Sequence, residues 1–433
     1  MIVFANTITS RLQYIFDFIG REIIGEPFQI TDDPQRFKEY NGPRINYSKT
    51  GISDFEFHVS DSGLLCATGI LPLAVGCLET NNYKAFFKTD GDFPFDMFAA
   101  SFYLLSRYEE YLPHKKDVYG RYAHENSLAF KENFLHLPLI NIWIRDFKLS
   151  LKRKFPSLHT HELTFNFLPT YDIDEAYSYK HKQWWRTVGG FAKSIVRGQW
   201  SALTERKNVL LGRQSDPYDA FEWMDRLNRN YSLKPIYFFL VASSTAKYDK
   251  NTLPSKGSMQ RLIRTHSEKY EIGIHPSWQS GSDDKKLKQE ISEIGHIAGS
   301  KISASRQHYI RFNLPTTYRK LIQLGIEKDF SMGYGSINGF RASVATPFYW
   351  YDLEAEKQTG LLVYPFCFME ANSFYEQQYS AQQAFEELKR YYSIVKSVDG
   401  FMVTIWHNNF LGTGMLSKEW KQVYEDFVSQ IHS

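Results

Sequence analysis

The stretch that decides the fold is Leu163–Asp174, LTFNFLPTYDID, in which apolar residues lead into two aspartates. Leu163–Leu168 has the length and composition of a buried strand, and the polar motif that follows begins at Thr170. Asp172 and Asp174 are two positions apart, so an extended backbone projects both carboxylates to the same side. Two carboxylates this close repel each other unless a cation or a proton lies between them, which suits one metal ligand beside one general base. A helix N-cap followed by a first-turn acid is an equally ordinary explanation.

The pattern continues to the C-terminus, where short apolar strands alternate with amphipathic helices. Further strands are predicted over Pro235–Ala242, Tyr270–Ile274, Ile302–Ser305, Leu361–Phe366 and Phe401–Trp406. Helices are predicted over Asp219–Tyr231, Met259–Lys269, Lys285–Ala298, Thr316–Leu324, Ala381–Lys396 and Glu419–Gln430. This alternation indicates the α/β class, with βαβ units that form a parallel sheet or barrel. About 270 residues suffice for a parallel barrel, whose active site lies where the strands end.

Residues 1–162 are predicted to form a smaller α+β domain ahead of a 163–433 barrel domain. A chain of 433 residues favours two or three domains. In the first part, Phe55–Val59 is strand-like, and helices are expected over Phe95–Leu112 and Leu139–Lys154. No residue pattern in this part indicates chemistry.

Composition and segment patterns argue against several classes of protein. A formal charge of +3 over the whole chain does not indicate nucleic acid as a partner. The three cysteines form no CxxC pair, which disfavours disulfides and cysteine-bound zinc. We expect no transmembrane segment, because no apolar run reaches about 18 residues. The first residues lack the basic start and cleavage site of a signal peptide, so we expect a cytoplasmic protein.

Ionisable residues follow several of the other predicted strands. His275 comes directly after the third strand, Arg306 and His308 after the fourth, and His407 after the last. The carboxyl ends of parallel strands meet at one rim, so these residues are candidates for a common site. Each also has a structural explanation, because a lone histidine is most often a core residue and an arginine often makes a surface ion pair.

Taken in order, these segments resemble the five motifs of the NodB-like polysaccharide deacetylase family (carbohydrate esterase family four). The similar residues are Thr170–Asp174 for the first motif, His275 for the second, Arg306-Gln307-His308-Tyr309 for the third, Asp329–Arg341 for the fourth and Thr404–His407 for the fifth. The second motif departs from the family pattern, because Gln279 stands where the family has a second histidine. The N-terminal region resembles that of two-part deacetylase-like proteins from Bacteroidetes.

The resemblance implies a deformed parallel (β/α) barrel of the NodB type and a role for each matched residue. The implied roles are general base for Asp172, orientation of that base for Arg306, oxyanion binding through its amide for Tyr309, general acid for His407 and metal binding for Asp174 and His275. His308 can replace the missing ligand from the next strand end, since neighbouring strands lie only ~4.8 Å apart. We expect Trp278, Arg341 and Trp406 to contact the substrate.

The implied activity is metal-dependent hydrolysis of an N-acetyl, or O-acetyl, group on a saccharide or glycan precursor, with zinc as the expected divalent ion. Two alternatives stay open: another metal amidohydrolase of the same fold, and a catalytically silent carbohydrate-binding protein. Gln279 favours the silent alternative, because glutamine is a poor zinc ligand. Retention of Asp172, Arg306 and His407 favours the enzyme.

The stretch 176–204 has an unusual composition. It holds five basic residues and no acidic one, with tryptophans at 184, 185 and 200. One hypothesis is that it contacts a phosphate-bearing substrate, such as a lipid-linked saccharide, or the membrane surface. The alternative is a solvated basic lid.

Overall fold

The computed structural model describes residues 1–80, 83–182, 200–414 and 417–432. The elements of the N-terminal part are β1 Ile2–Ala5, α1 Ser10–Ile24, β2 Gln29–Thr31, α2 Pro34–Glu39, β3 Arg44–Tyr47, β4 Phe57–Val59, β5 Cys77–Thr80, β6 Tyr83–Phe86, α3 Met97–Leu105, α4 Leu128–Lys131 and α5 Leu139–Lys154. Strands β2-β1-β3-β4 form a parallel sheet, and β5 and β6 form an antiparallel hairpin. Because the first strands alternate with helices, this part begins with βα units and not with the segregated elements of the predicted α+β domain.

Of the two helices predicted in this part, one has the predicted bounds and the other is shorter. α5 has the predicted bounds. The helix predicted over Phe95–Leu112 ends at Leu105, because Arg107 takes a left-handed backbone conformation with φ 53°. A short 3-10 turn over Tyr108–Tyr111 follows it.

The C-terminal part is built around one nine-stranded sheet. Its elements are β7 Asn166–Ile173, α6 Trp200–Leu210, α7 Phe221–Asn230, β8 Ile236–Leu240, α8 Gly257–Ser267, β9 Glu271–His275, α9 Asp284–Ala298, β10 Ala304–Ser305, α10 Thr316–Gln323, β11 Lys328–Asp329, β12 Phe348–Asp352, β13 Lys357–Val363, β14 Phe368–Met369, α11 Ala381–Lys396, β15 Phe401–His407 and α12 Ser417–His432. The strand order is β12-β13-β11-β10-β9-β8-β7-β15-β14, and every neighbouring pair except β12 and β13 is parallel. The predicted α/β class with a parallel sheet is confirmed.

The decisive strand lies further along the chain than predicted. β7 spans Asn166–Ile173, so Thr170 and Asp172 belong to the strand itself. Its pairing with β15 runs from Asn166 to Asp172 and places His407 opposite Asp172. Hydrogen bonding to β15 and β8 on its two sides, and not local apolar content, decides where this strand begins and ends.

The sheet is strongly curved. β10 and β7 are separated by two strands, which would place them ~14 Å apart in a flat sheet. Arg306, directly after β10, nevertheless donates a 2.6 Å hydrogen bond from Nη1 to Oγ1 of Thr170 in β7. Its guanidinium lies 4.6 Å from the ring centre of Phe238 in β8 and 5.9 Å from that of Phe366, just before β14. Among the described strands, no pairing joins the edges β12 and β14, so the hydrogen-bonded sheet is open.

Both parts of the chain share one continuous hydrophobic core. Helix α1 packs against the β12–β13 hairpin, where the Tyr14 hydroxyl donates to the Tyr349 carbonyl at 2.8 Å. From the same helix, Arg11 pairs with Glu356 at the hairpin turn. The N-terminal part therefore lies directly against the sheet that carries the predicted site residues.

Candidate metal centre and cavity

A cavity of about 550 Å³ lies at the carboxyl edge of the nine-stranded sheet. Six of the residues singled out from the sequence line it: Asp172, Asp174, His275, His308, Tyr309 and His407. Strand register explains the convergence, because His407 ends β15 opposite Asp172 and His275 ends β9 opposite the last residue of β8. Parallel strands thus deliver side chains from distant parts of the sequence to one rim.

His275 points one ring nitrogen at Asp174 and has the other fixed by a backbone carbonyl. Its Nδ1 lies 2.6 Å from the carbonyl oxygen of Arg306, which can only accept, so Nδ1 is the donor in this contact. Its Nε2 faces Oδ1 of Asp174 at 3.2 Å. That oxygen is buried, and no other donor among the described residues bonds to it. The second ring nitrogen of His275 is therefore placed beside a buried carboxylate oxygen.

His308 repeats this arrangement from the next strand end. Its Nδ1 lies 3.2 Å from Oδ1 of the buried Asp249, and its Nε2 lies 3.5 Å from Oδ2 of Asp174. Burial lowers the pKa of His308, but Asp174 and Asp249 raise it to about 9. A proton on His308 therefore pairs with the two carboxylates when no metal ion is bound, and a bound ion would have to displace that proton.

The cluster fits a divalent metal ion. One ligand atom each from Asp174, His275 and His308 lie within 4.8 Å of one another. Each histidine has its other ring nitrogen fixed by a carbonyl or a carboxylate, which is the outer support that metal-binding imidazoles usually have. One carboxylate and two imidazoles, with room in the cavity for a further ligand, form a donor set typical of catalytic zinc.

Asp172 lies beside this cluster and is held by Arg306. The buried guanidinium donates from Nη1 to Oδ1 of Asp172 at 2.9 Å and from Nε to the Phe330 carbonyl at 3.1 Å. The second oxygen of Asp172 lies 3.8 Å from Nε2 of His275. Pairing with a buried, fixed arginine orients the carboxylate, as a general base requires.

On the other side of the cluster, His407 is paired with Glu370. Its Nδ1 lies 2.7 Å from Oε1 of the buried glutamate, which also accepts the His407 amide at 2.6 Å. Its Nε2 lies 3.7 Å from Oδ2 of Asp174. Burial lowers the pKa of His407, but the charges of Glu370, Asp174 and Asp172 raise it to about 10. A protonated imidazole at neutral pH can donate Nε2–H to a group in the cavity.

The turn that carries His308 is strained. His308–Ile310 form a 3-10 turn in which Tyr309 and Ile310 have φ values of 58° and 53°. Side chains other than glycine rarely adopt this left-handed conformation, and such residues cluster at functional sites. The Tyr309 backbone therefore requires support from its surroundings.

The structure does not bring every predicted substrate contact to the cavity. Trp406 is buried against Tyr424 of α12, with ring centres 4.5 Å apart, because alternation along β15 points it away from the His407 side. Arg341 is buried in an ion pair with Glu110 at 2.6 Å. Trp278 stacks at 4.1 Å on Tyr248, and only Tyr248 of this pair lines the cavity.

Two other segments of the resemblance have structural roles. Gln279 accepts a hydrogen bond from Lys286 of α9 and does not line the cavity. The carboxylate of Asp329, in the fourth-motif segment, accepts bonds from Ser305, Tyr318 and Ser331.

Sequence reasoning missed the two carboxylates that orient the histidines. Glu370 follows the two-residue strand β14, so a strand-end signal existed but was too short to recognise. Asp249 lies in a charged loop, KYDKN, and no local pattern distinguishes it from a surface residue. Its carboxylate accepts a hydrogen bond from the Trp278 amide at 2.8 Å and contacts His308, and both contacts arise only from the fold.

Of the basic 176–204 stretch, residues 183–199 lie outside the described part of the chain. The described beginning is tied to Asp216, whose carboxylate accepts the amides of Ser178, Tyr179 and Lys180 at 2.6–2.9 Å. The hypothesis of phosphate or membrane contact stays a prediction.

Comparison with known proteins gives three findings. Residues 1–156 match a family of unknown function (DUF7033). No curated protein matches the chain significantly. A crystal structure of a provisionally assigned polysaccharide deacetylase from Mycobacterium smegmatis superimposes with a TM-score of 0.41 and 12% identity, over 63% of this chain and 85% of that one. A likeness of this size identifies neither a relative nor an activity.

No described helix combines the length and the apolar character needed to cross a bilayer.

Proposed function

We propose that the cavity is the active site of a metal-dependent hydrolase that removes an N-acetyl, or O-acetyl, group from a saccharide. One observation carries the proposal: three metal-ligating atoms, one each from Asp174, His275 and His308, lie within 4.8 Å of one another. Beside them stand an arginine-held carboxylate, Asp172, and a protonated imidazole, His407. The ordered motif resemblance of the sequence supports the same reaction.

Asp174, His275 and His308 would hold the metal ion, zinc by the preference of this donor set, and the ion would polarise the acyl oxygen and lower the pKa of a water molecule. Asp172 would take a proton from a water molecule in the cavity as the water oxygen bonds to the acyl carbon. The Tyr309 amide donates a hydrogen bond to the developing oxyanion. His407 gives its Nε2 proton to the nitrogen as the carbon–nitrogen bond breaks, releasing acetate and a free amine.

The walls of the cavity support a saccharide as substrate. Rings of Tyr119 and Tyr248 line it, as do those of Tyr218, Tyr375 and Phe410. Sugar rings present flat C–H faces that pack on aromatic rings, while their hydroxyls need polar partners. A mixed aromatic and polar cavity of about 550 Å³ lies within the range of small-molecule sites.

We also propose the finer fold predictions. Residues 163–433 would form a deformed (β/α) barrel domain, supported by the strong curvature that brings Arg306 to Thr170. Residues 1–162 would form a separate domain, supported by the family match that ends at residue 156.

The test combines metal analysis with a substrate panel. Purified protein should contain about one divalent ion, lose it to a chelator and regain it from Zn²⁺. Acetate release from N-acetylated and O-acetylated saccharides should follow the metal content. Release from small cyclic amides alone would favour another amidohydrolase, and saccharide binding without turnover of any of these compounds would favour a silent binding protein.

A further inference from the structure

A loop of the N-terminal part forms one wall of the cavity. The 117–121 loop, residues Asp117–Arg121, brings Tyr119 and Arg121 to the cavity lining. The Asp117 carboxylate accepts the amides of both residues, at 2.9 and 3.0 Å, and the Arg121 Nε at 2.6 Å. Hydrogen bonds to its first residue therefore hold the loop in shape, and they fix the position from which the Arg121 side chain extends.

Arg121 ends on the strained turn of the metal cluster. Its Nη1 donates a 2.7 Å hydrogen bond to the carbonyl oxygen of Tyr309, and its side chain is only 5% exposed. The Tyr119 ring lies 5.4 Å from the Tyr309 ring and 4.8 Å from the Arg121 guanidinium carbon. Arg121 and Tyr119 thus both contact Tyr309, the residue after His308, where the backbone is left-handed.

Gly335 makes the approach of Arg121 possible. A Cβ atom at this position would lie 2.0 Å from Nη1 of Arg121 and 3.0 Å from the Tyr309 carbonyl oxygen. Any larger residue would displace the guanidinium from the carbonyl that it binds. The contact can therefore be broken from either side, at Arg121 or at Gly335.

We infer that the 117–121 loop is a positioning element of the metal centre, in which Arg121 holds the Tyr309 carbonyl and thereby the turn that presents His308 and the Tyr309 amide. The inference rests on the proposed metal site. Left-handed residues persist only where surrounding contacts enforce them, so loss of this hydrogen bond lets the turn relax. The N-terminal part then helps to position the metal ligands, although none of the three ligands belongs to it.

The test measures Zn²⁺ affinity of the full chain by competition with a chromophoric chelator, together with the melting temperature. Arg121→Leu should weaken Zn²⁺ binding about tenfold, the lower end of effects seen for outer-shell partners. Gly335→Ala should act in the same direction, and the double variant should be no weaker than the stronger single variant, since both break one contact. Arg121→Lys keeps one donor for two acceptors and should lie between wild type and Arg121→Leu.

Arg11→Leu is the matched control. Arg11 is also buried and also joins the N-terminal part to the C-terminal part, through Glu356, but it does not line the cavity. This variant should lower the melting temperature and leave the Zn²⁺ dissociation constant unchanged. Equal Zn²⁺ affinity in wild type, Arg121→Leu and Gly335→Ala would overturn the inference alone, as would equal weakening in Arg11→Leu. A wild-type chain that binds no Zn²⁺ would overturn the proposed function and the inference with it.

Discussion

The four-stranded sheet and the nine-stranded sheet both carry buried polar groups at their carboxyl edges. The two edges differ in whether hydrogen-bond donors surround the buried carboxylate. In the N-terminal sheet, Tyr47 ends β3 and donates to Asp96 at 2.7 Å. Asp96 also accepts the amides of Ser62 and Ala99, each at 2.9 Å, so donors surround the carboxylate. In the C-terminal sheet, Asp174 instead faces a ring nitrogen of His275 at 3.2 Å and one of His308 at 3.5 Å.

The difference indicates what distinguishes a candidate functional edge. A buried polar group at the carboxyl edge of a parallel sheet is not sufficient, because the Tyr47–Asp96 pair lies at such an edge and is satisfied within the protein. A carboxylate that faces imidazole nitrogens requires a proton or a cation between the facing atoms. The C-terminal edge meets this second condition and the Asp96 cluster does not.

The largest expected effect is loss of the metal ion. His308→Ala removes one of the three converging ligand atoms, so the stoichiometric ion and the metal-dependent acetate release should both be lost. His266→Gln is the matched control, because His266 is also buried with Nδ1 bonded to a carbonyl, that of Leu262 at 2.8 Å. Metal analysis of both variants decides the matter. An ion retained in His308→Ala, or lost equally in both variants, would contradict the assignment.

Removal of the base should come next in size. Asp172→Asn should lower kcat by at least ~100-fold while the ion is retained, the usual scale for a positioned base. The melting temperature should also fall, because buried Arg306 loses its counter-charge. Single-turnover acetate release and metal content should be measured on the same sample. Unchanged turnover would exclude Asp172 from the role of base.

Glu370 should control the pH dependence of the acid. Its negative charge helps to raise the pKa of His407 to about 10, so the histidine stays in its donating form up to that range. Glu370→Gln lowers that pKa, and the alkaline limb of kcat should therefore move to lower pH, with a loss of about tenfold on the alkaline side. A pH–rate profile checks the direction. A limb that stays in place or moves to higher pH would contradict the pairing.

The N-terminal edge should respond in stability alone. Asp96→Ala removes the N-cap of α3 and the nearer of the two carboxylate acceptors of the Tyr47 hydroxyl. The free energy of unfolding should fall by on the order of 2–4 kcal/mol, as measured with denaturant. Zn²⁺ affinity of the folded protein should not change. A matching loss of affinity would show that the two edges are not independent.

The smallest expected effect concerns Gln279, the position at which the second motif departs from the family pattern. Gln279→His restores the motif of the resembled family, but the native side chain bonds to Lys286 and does not line the cavity. With His308 supplying the third ligand, the Zn²⁺ dissociation constant should stay within about threefold of wild type. A gain of more than about tenfold would show that position 279 reaches the ion.

The sequence by itself determined the α/β alternation in the C-terminal part, because helix and strand periodicity are local properties. All six helices that it predicted there are present, and α11 has the predicted bounds. It also placed ionisable residues after several of the strands, and parallel pairing then brings them to one edge. Alternation along β15 was equally available and excludes Trp406 from the side of His407.

Only the tertiary structure decided which of these residues meet and what supports them. Asp249 lies in a loop, Glu370 follows a two-residue strand and Arg121 comes from a distant part of the chain, and no periodicity marks any of them. His308 rather than residue 279 completes the cluster because strand register and sheet curvature set the distance to Asp174. Such distances depend on contacts between residues far apart in sequence, and local patterns do not encode them.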